Sequence, residues 1–242
     1  MAGGMEKQGE KRTPARNLTF GLLDTLGRDI VTGVYESQRF PTEAELAADH
    51  HVSRSVTREA VKMLTAKGLL TARPRKGTTV QPSSHWNLFD TDVLRWILER
   101  KFSLELLRQF SELRIAIEPE AAALASRAGE AGAAAAIRTA YRSMEAAERA
   151  GEDTLEADIA FHVSVLNASA NPFYMQFRDV VATALRTSIL FTNRFKGRTA
   201  SLAAHEAVLT AIEARDPETA RGAMAALISD VMVLIDEAGA GT

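Results

Sequence analysis

Apolar residues recur at helical spacing through most of this chain, and this pattern predicts its secondary structure. Leu22, Leu26 and Ile30 fall on one face of a predicted first helix over residues 18–32. After residue 90 the same periodicity, broken by glycine, Asn-Pro and Asp-Pro steps, predicts helices at 91–101, 103–127, 133–149, 153–168, 172–194, 200–214 and 217–237. The alternation typical of strands is absent from this second part of the sequence. The fold class is therefore predicted to be mainly α, ending in an all-α antiparallel helical bundle.

Residues 41–80 depart from this pattern, because two short helices and a turn are followed by a basic hairpin. Thr42 and Glu45 form a capping-box pair at the first helix, and Ser53 is a suitable N-cap for the second. Four apolar residues give the second helix one buried face: Val56, Ala60, Val61 and Leu64. Gly68 ends that helix, and the residues on either side of the following Arg-Pro-Arg-Lys-Gly tip can pair as strands. The segment therefore predicts a winged helix-turn-helix that binds DNA.

The outward face at the start of the second helix carries short polar and guanidinium side chains, which reach bases and phosphates when a helix enters a major groove. The candidate DNA contacts of the helices and of the hairpin tip are Thr42, Ser53, Arg54, Ser55, Thr57, Arg58, Arg73, Arg75, Lys76 and Gly77. We expect Arg54 and Arg58 to contact guanines or nearby phosphates. Arg75 and Lys76 would reach the DNA backbone or the minor groove. Two such units related by a two-fold axis would bind double-stranded DNA at an inverted repeat.

The charge distribution favours contact with phosphates through the N-terminal part of the chain. The 242 residues carry a net charge of -2, yet residues 1–84 hold 13 Lys+Arg against 9 Asp+Glu. The chain has no cysteine, which excludes disulfides and thiolate chemistry and is typical of a reducing cytoplasm. No apolar segment approaches the roughly 20 residues of a transmembrane helix, and residues 1–17 are a polar leader predicted to be disordered. We therefore expect a cytoplasmic protein with no membrane partner, with a DNA-binding domain at 18–82 and a second domain at 83–242.

The helix-turn-helix segment resembles the GntR superfamily of bacterial transcription regulators. That family carries a Ser/Thr-Arg-x-x-x-Arg-Glu-Ala pattern, which is matched by Ser53, Arg54, Arg58, Glu59 and Ala60. Its wing often has the pattern Arg-x-Gly-x-Gly-Thr-x-Val, in which Arg75 of this chain replaces the first glycine. The replacement adds a positive charge at the tip of the wing.

The helical second half resembles the FCD effector domain of the FadR-like branch of this superfamily. The junction WNLFDTDVLRWILE is most similar to regulators of the galactonate-operon repressor type, which control sugar-acid catabolism. The resemblance implies a homodimeric repressor of a hexonate-like catabolic operon that responds to a small carboxylate effector. It implies no catalytic residue, so we expect no enzyme activity. Three alternatives stay open: an activator, a regulator that responds to another organic acid or acyl-CoA, and, remotely, a metal-dependent enzyme fused to a DNA-binding domain.

Asp158 and His162 are four residues apart in the helix predicted at 153–168, so they share a face among apolar neighbours. A carboxylate and an imidazole in such surroundings are paired or ligate something, since burying them bare is costly. The FCD resemblance adds His205 and implies a site for a divalent metal, Zn or similar, that also binds the effector. The usual fourth ligand is a histidine, but its position falls on Leu227, which cannot bind a metal.

The leucine leaves three hypotheses for this group. The residues hold a metal with three protein ligands, or bind the effector by hydrogen bonds without a metal, or Asp158 and His162 are only a satisfied helical pair. Arg114 is the candidate for the effector carboxylate, because a guanidinium binds a carboxylate through two parallel hydrogen bonds. Asn167 is a weaker candidate for the hydroxyl groups of the effector. The alternative for Arg114 is a buried salt bridge to Glu118, one helical turn further along.

Overall fold

The computed structural model describes residues 15–73, 77–100, 103–129, 131–196 and 201–240. Contacts between residues divide the chain into two compact units, Met1–Arg100 and Lys101–Thr242. The first unit is a winged helix, and the described part of the second unit contains only helices. The predicted fold class is confirmed.

The first unit comprises α1 (Ala15–Val31), α2 (Glu43–Asp49), α3 (Arg54–Ala66), β1 (Leu70–Arg73), β2 (Gly77–Val80), a 3-10 turn (Ser83–His85) and α4 (Thr91–Arg100). The apolar faces of the first three helices meet in one core, where Leu26, Leu46 and Leu64 are buried. β1 and β2 pair antiparallel and form the wing, with Leu70 opposite Val80. The core thus fixes α3, the helix that carries most of the candidate DNA contacts.

The predicted helix caps of α2 and α3 are present. The Thr42 hydroxyl accepts the N–H of Glu45, and the Glu45 carboxylate accepts the N–H of Thr42. Ser53 Oγ accepts the N–H of Val56 at the start of α3. These bonds satisfy amides that have no partner within the helix, which fixes where both helices begin.

The predicted start of the second domain at residue 83 is wrong, because the segment after the wing packs on the first unit. Trp96 is buried against Gly27 of α1, where a Cβ atom would lie 2.4 Å from the indole ring. Lys67 Nζ, just after α3, donates to both carboxylate oxygens of Asp90, at 2.8 and 2.7 Å. These contacts place this whole segment, including α4, in the first unit.

The leader predicted at residues 1–17 lies outside the described residues as far as residue 14. The next three residues are helical and form the first turn of α1. The prediction of disorder is therefore wrong for residues 15–17.

The second unit comprises α5 (Leu104–Ala128), α6 (Ala131–Ala150), α7 (Leu155–Ala168), α8 (Pro172–Met175), α9 (Arg178–Lys196), α10 (Leu202–Glu213) and α11 (Pro217–Ala240). The helix predicted at 172–194 is divided into α8 and α9, because the N–H of Phe177 makes a tighter bond to Tyr174 O at 3.0 Å. α5 packs against α7, α10 and α11, and these contacts position the polar side chains described below. Within the described residues, no helix combines the length and the apolar character needed to cross a membrane.

Candidate functional site

Five buried polar side chains on three helices of the second unit form a connected cluster. They are Arg114 and Glu118 of α5, Asp158 and His162 of α7, and His205 of α10, none more than 6% exposed. α7 contributes two of them from one face, because they are one helical turn apart. Its other buried residues include Ile159, Phe161, Val165 and Leu166, so this helix is covered on most sides. The apolar surroundings strengthen every electrostatic interaction within the cluster.

Asp158, His162 and His205 bring three potential ligand atoms within 4.8 Å of one another. Asp158 Oδ1 lies 3.3 Å from His162 Nε2 and 3.4 Å from His205 Nε2. Asp158 Oδ1 and His205 Nε2 are both buried, and neither has a hydrogen-bond partner. A buried polar atom without a partner costs about 1–3 kcal/mol, so such atoms mark places where a bound species is missing from the hydrogen-bond accounting.

The other nitrogen of each imidazole is held by a hydrogen-bond acceptor. His205 Nδ1 lies 2.8 Å from the carbonyl oxygen of Ser201, and His162 Nδ1 lies 2.6 Å from Glu118 Oε2. A carbonyl or carboxylate oxygen only accepts, so each Nδ1 carries a hydrogen and donates it. In the neutral rings the Nε2 lone pairs therefore face the Asp158 carboxylate. Two oriented imidazoles and one carboxylate are a donor set that fits a divalent cation such as Zn²⁺.

The charges of the cluster shift its ionisation equilibria. Burial opposes ionisation of Glu118, but Arg114 and His162 outweigh it and lower the pKa of this carboxyl to about 2. Burial also works against ionisation of Asp158, yet His162 and His205 reverse this and hold its pKa below the usual range. For His162, burial lowers the pKa, and the Glu118 carboxylate more than compensates and raises it. Both carboxylates are therefore ionised at neutral pH, which makes the cluster a place where a cation or a proton binds.

Arg114 makes the salt bridge that was the alternative to effector binding. Its Nε lies 2.5 Å from Glu118 Oε1, and its Nη2 lies 3.2 Å from Glu118 Oε2, a two-pronged pair along one turn of α5. Nη2 also lies 3.2 Å from His162 Nδ1 and 3.4 Å from His162 Nε2. Nη1 takes part in none of these contacts, so one nitrogen of the guanidinium is still available to a ligand.

Asn167 does not join this cluster. Its side chain is exposed, on a different side of α7 from the buried Asp158 and His162. The structure therefore does not support the predicted effector contact of Asn167. Leu227, at the position where the fourth ligand was expected, is buried in α11.

The candidate DNA contacts lie mostly at the exposed start of α3. Residues 53–55 are exposed, and so is Arg58, whose Nε lies 3.3 Å from Glu43 Oε2. Thr57 differs, since it is 0% exposed and its hydroxyl donates to the carbonyl oxygen of Ser53 at 3.3 Å. The prediction that Thr57 lies on the outward face is wrong, because the side chain bonds back to the preceding turn.

The remaining DNA-binding candidates belong to the cap of α2 and to the wing. The Thr42 hydroxyl is exposed and is bonded to Glu45 in the capping box. Arg73 ends β1, and Gly77 begins β2 with a φ of 78°, a backbone conformation that glycine adopts readily. Arg75 and Lys76 lie outside the described residues.

Comparisons with known proteins match both units. Residues 21–80 match the bacterial regulatory proteins of the gntR family, and residues 109–230 match the FCD domain. The chain is 35% identical over 216 residues to the HTH-type transcriptional regulator YieP of Escherichia coli (strain K12), covering 88% of this chain and 93% of YieP. The chain belongs to the GntR family and carries an FCD domain.

Other relatives of this GntR-family regulator agree with the assignment. The galactonate operon transcriptional repressor of Escherichia coli (strain K12) is 33% identical over 218 residues, covering 88% of this chain and 94% of the repressor. E. coli McbR/YncC aligns with a TM-score of 0.53 at 16% identity, over 91% of this chain and 97% of that chain. A GntR transcriptional regulator from Rhodococcus sp. RHA1 aligns with a TM-score of 0.52 at 19% identity, over 92% and 99% of the two chains. These two structures bear on the fold alone, whereas family membership makes the chain a DNA-binding transcription regulator with an effector domain.

The bond between Glu118 and His162 in this FCD domain was not predicted from the sequence. The two residues are 44 positions apart, and no local pattern connects them. The one available signal was the spacing of Arg114 and Glu118, which indicated a buried ion pair on α5.

Proposed function

We propose that this GntR-family regulator represses an operon for sugar-acid catabolism, and that a small carboxylate of the hexonate type modulates its binding to the operator. The likeness to the galactonate operon repressor supports this effector class, because the alignment covers 88% of this chain at 33% identity. The alignment is long enough to include most of the FCD domain as well as the DNA-binding unit.

The observation that carries the proposal is the pair of unpartnered buried atoms, Asp158 Oδ1 and His205 Nε2, beside His162 Nε2. Lone pairs that converge in an apolar interior repel one another unless a cation or a proton lies between them. We infer that these three residues hold a divalent metal, Zn or similar, through one oxygen and two nitrogen atoms. Such an ion, when bound, supplies positive charge and open coordination positions for an anionic ligand.

The net charge of the cluster favours a monoanionic effector. Arg114 and Glu118 neutralise each other through their paired hydrogen bonds. Asp158 with two neutral imidazoles carries one negative charge, so a divalent cation leaves the site with a single positive charge. A hexonate has one carboxylate, which would neutralise that charge, and Nη1 of Arg114 would donate to the same carboxylate.

In the first unit, the exposed start of α3 would contact the operator. Residues 53–55 and Arg58 lie where a recognition helix reaches base edges and phosphates. A homodimer would place two α3 helices in successive major grooves, so the operator would be an inverted repeat. The effector would act by binding with different affinity to dimers that fit the operator and dimers that do not.

Metal analysis of untagged protein tests the effector site. We expect about one equivalent of a divalent ion per chain in the wild type and none in His162→Ala and His205→Ala. His85→Ala is the matched control, because His85 is exposed in the first unit. A wild-type protein that stays free of metal after incubation with Zn²⁺ would exclude the metal and favour direct hydrogen-bonded recognition of the effector.

A ligand panel tests the effector class. Hexonates and hexuronates would be screened by thermal shift with and without Zn²⁺, and then by fluorescence anisotropy of a labelled operator. We expect a hexonate to stabilise the protein and to change its affinity for the operator. Activity of an acyl-CoA or another organic acid in place of hexonates would overturn the sugar-acid assignment. A reporter that loses expression when the regulator is deleted would identify an activator, and turnover of a panel compound would identify an enzyme.

A further inference from the structure

Glu118 is fully bonded although it is not one of the three ligand residues. Its side chain is 0% exposed, Oε1 lies 2.5 Å from Arg114 Nε, and Oε2 lies 2.6 Å from His162 Nδ1. A buried carboxylate is costly unless it is paired and hydrogen-bonded. Both of its oxygens have such partners here, and one partner is a ligand histidine, which points to a role in the site.

Glu118 determines which nitrogen of His162 faces Asp158. An ionised carboxylate only accepts, so Nδ1 of His162 must carry a hydrogen, and Nε2 is left 3.3 Å from Asp158 Oδ1. Without Glu118, the neighbour of Nδ1 would be Nη2 of Arg114, a donor at 3.2 Å. A donor at that position favours a bare Nδ1 and moves the hydrogen to Nε2, where it blocks metal binding.

His205 is oriented in a different way. Its Nδ1 donates to the main-chain carbonyl oxygen of Ser201 at 2.8 Å, one turn earlier in the chain. A main-chain acceptor is present whatever side chain occupies position 201. The orientation of His205 therefore follows from the helix, whereas that of His162 depends on one side chain from another helix.

We propose that Glu118 is a positioning residue that holds His162 in its Nδ1–H form and so presents Nε2 as a ligand, with Arg114 as the counter-charge of Glu118. The effect on metal affinity rests on the metal site of the proposed function, but the position of the hydrogen on His162 does not. Hydrogen-bond partners of ligating histidines typically change metal affinity by 10- to 100-fold, so the effect is measurable.

Glu118→Gln tests the effect on metal affinity. Glutamine keeps the size of the side chain but can present either an oxygen or an N–H to His162, so the orientation of the ring is no longer imposed. We expect the affinity for Zn²⁺, measured by competition with a chromogenic chelator, to fall by about 10- to 100-fold. Glu112→Gln is the matched control, since Glu112 lies on the exposed side of the same helix and pairs with Arg108. An affinity of Glu118→Gln within about twofold of the wild type would overturn the proposal.

The position of the hydrogen gives a second readout that needs neither metal nor a stable variant. Nitrogen NMR of histidine-labelled, metal-free wild-type protein distinguishes the two ring nitrogens, and His162→Ala identifies the signals of His162. We expect a hydrogen on Nδ1, in the neutral ring or in the imidazolium. A bare Nδ1 with the hydrogen on Nε2 would overturn the proposal. If the wild type binds no metal and Nδ1 carries the hydrogen, the metal site fails and the orienting role of Glu118 is upheld.

Discussion

The indole N–H of Trp96 donates to Asp24 Oδ1 at 2.7 Å and joins α4 to α1 across 72 positions of sequence. The same carboxylate accepts hydrogen bonds from Arg95 at 2.8 Å and from Arg28 at 2.9 Å. Three donors around one carboxylate stabilise its charged form. This arrangement holds α4 on the DNA-binding unit.

The first prediction concerns the pH dependence of this contact. Burial raises the pKa of Asp24, but hydrogen bonds from Trp96, Arg95 and Arg28 outweigh it and lower the pKa to about 2. Because an unfolded aspartate has a pKa of about 3.9, the contribution is complete above that pH and is lost as the pH falls through the folded value. We expect Asp24→Asn to reduce the free energy of unfolding by about 1 kcal/mol at neutral pH, a small value because the carboxylate is 38% exposed.

Tryptophan fluorescence during urea unfolding measures this difference at each pH. Both tryptophans of the chain, Trp86 and Trp96, belong to the first unit, so the signal reports on that unit. The difference between wild type and Asp24→Asn should shrink as the pH falls from about 5 towards about 2. Asp49→Asn, at an exposed position of α2, serves as the control. A difference that stays constant over this range would contradict the prediction.

Gly27 and Gly21 of α1 provide a matched pair for the second prediction. A Cβ atom at Gly27 would lie 2.4 Å from the Trp96 ring, whereas one at Gly21 would meet nothing within 4 Å. We expect Gly27→Ala to destabilise the unit by about 1–3 kcal/mol, because a buried ring has to move. Gly21→Ala should stabilise it by about 0.5–1 kcal/mol, because alanine is the better helix former. Thermal unfolding followed by circular dichroism compares the two, and equal effects would contradict the packing of Trp96 on α1.

Lys67 carries the third prediction, since its ammonium joins the end of α3 to the start of α4. Nζ donates to Asp90 and to Asp92, and the lysine side chain is only 12% exposed. In Lys67→Met the apolar stem is kept but the two carboxylates lose their shared counter-charge, so we expect a loss of about 1–3 kcal/mol in urea unfolding. Lys62→Met is the control, because Lys62 is exposed and pairs with Glu59 only at 3.9 Å. Equal stability of the two variants would show that the buried ammonium contributes nothing.

Local patterns predicted most helices and both caps, but they did not predict contacts between distant residues. Caps and apolar spacing depend on residues a few positions apart, which is why α2, α3 and most of the second unit were predicted correctly. The boundary at residue 83 was wrong because the packing of the next segment depends on Asp24 and Lys67, which are remote in sequence. The pairing of Asp158 with His162 followed from helix periodicity. The bond from Glu118 to His162 required the tertiary structure.

The fourth prediction separates DNA contact from helix stability within α3. Arg54 is exposed at the start of this helix, whereas Thr57, one turn later, is buried and donates to the Ser53 carbonyl. Arg54→Ala should weaken operator binding by about 1–3 kcal/mol, the typical effect of losing a two-pronged contact to a base, with little change in stability. Thr57→Val keeps the shape of the side chain but removes the hydroxyl, so it should cost about 0.5–1.5 kcal/mol of stability and leave operator affinity unchanged.

Fluorescence anisotropy with a labelled operator at one fixed salt concentration, paired with thermal unfolding, measures both effects. The salt must be fixed because phosphate contacts make the affinity strongly dependent on ionic strength. Operator affinity that is unchanged in Arg54→Ala would remove Arg54 from the DNA contacts. Weaker operator binding by Thr57→Val, at a temperature where the variant is fully folded, would mean that this hydroxyl leaves its bond to Ser53 when the helix enters the groove.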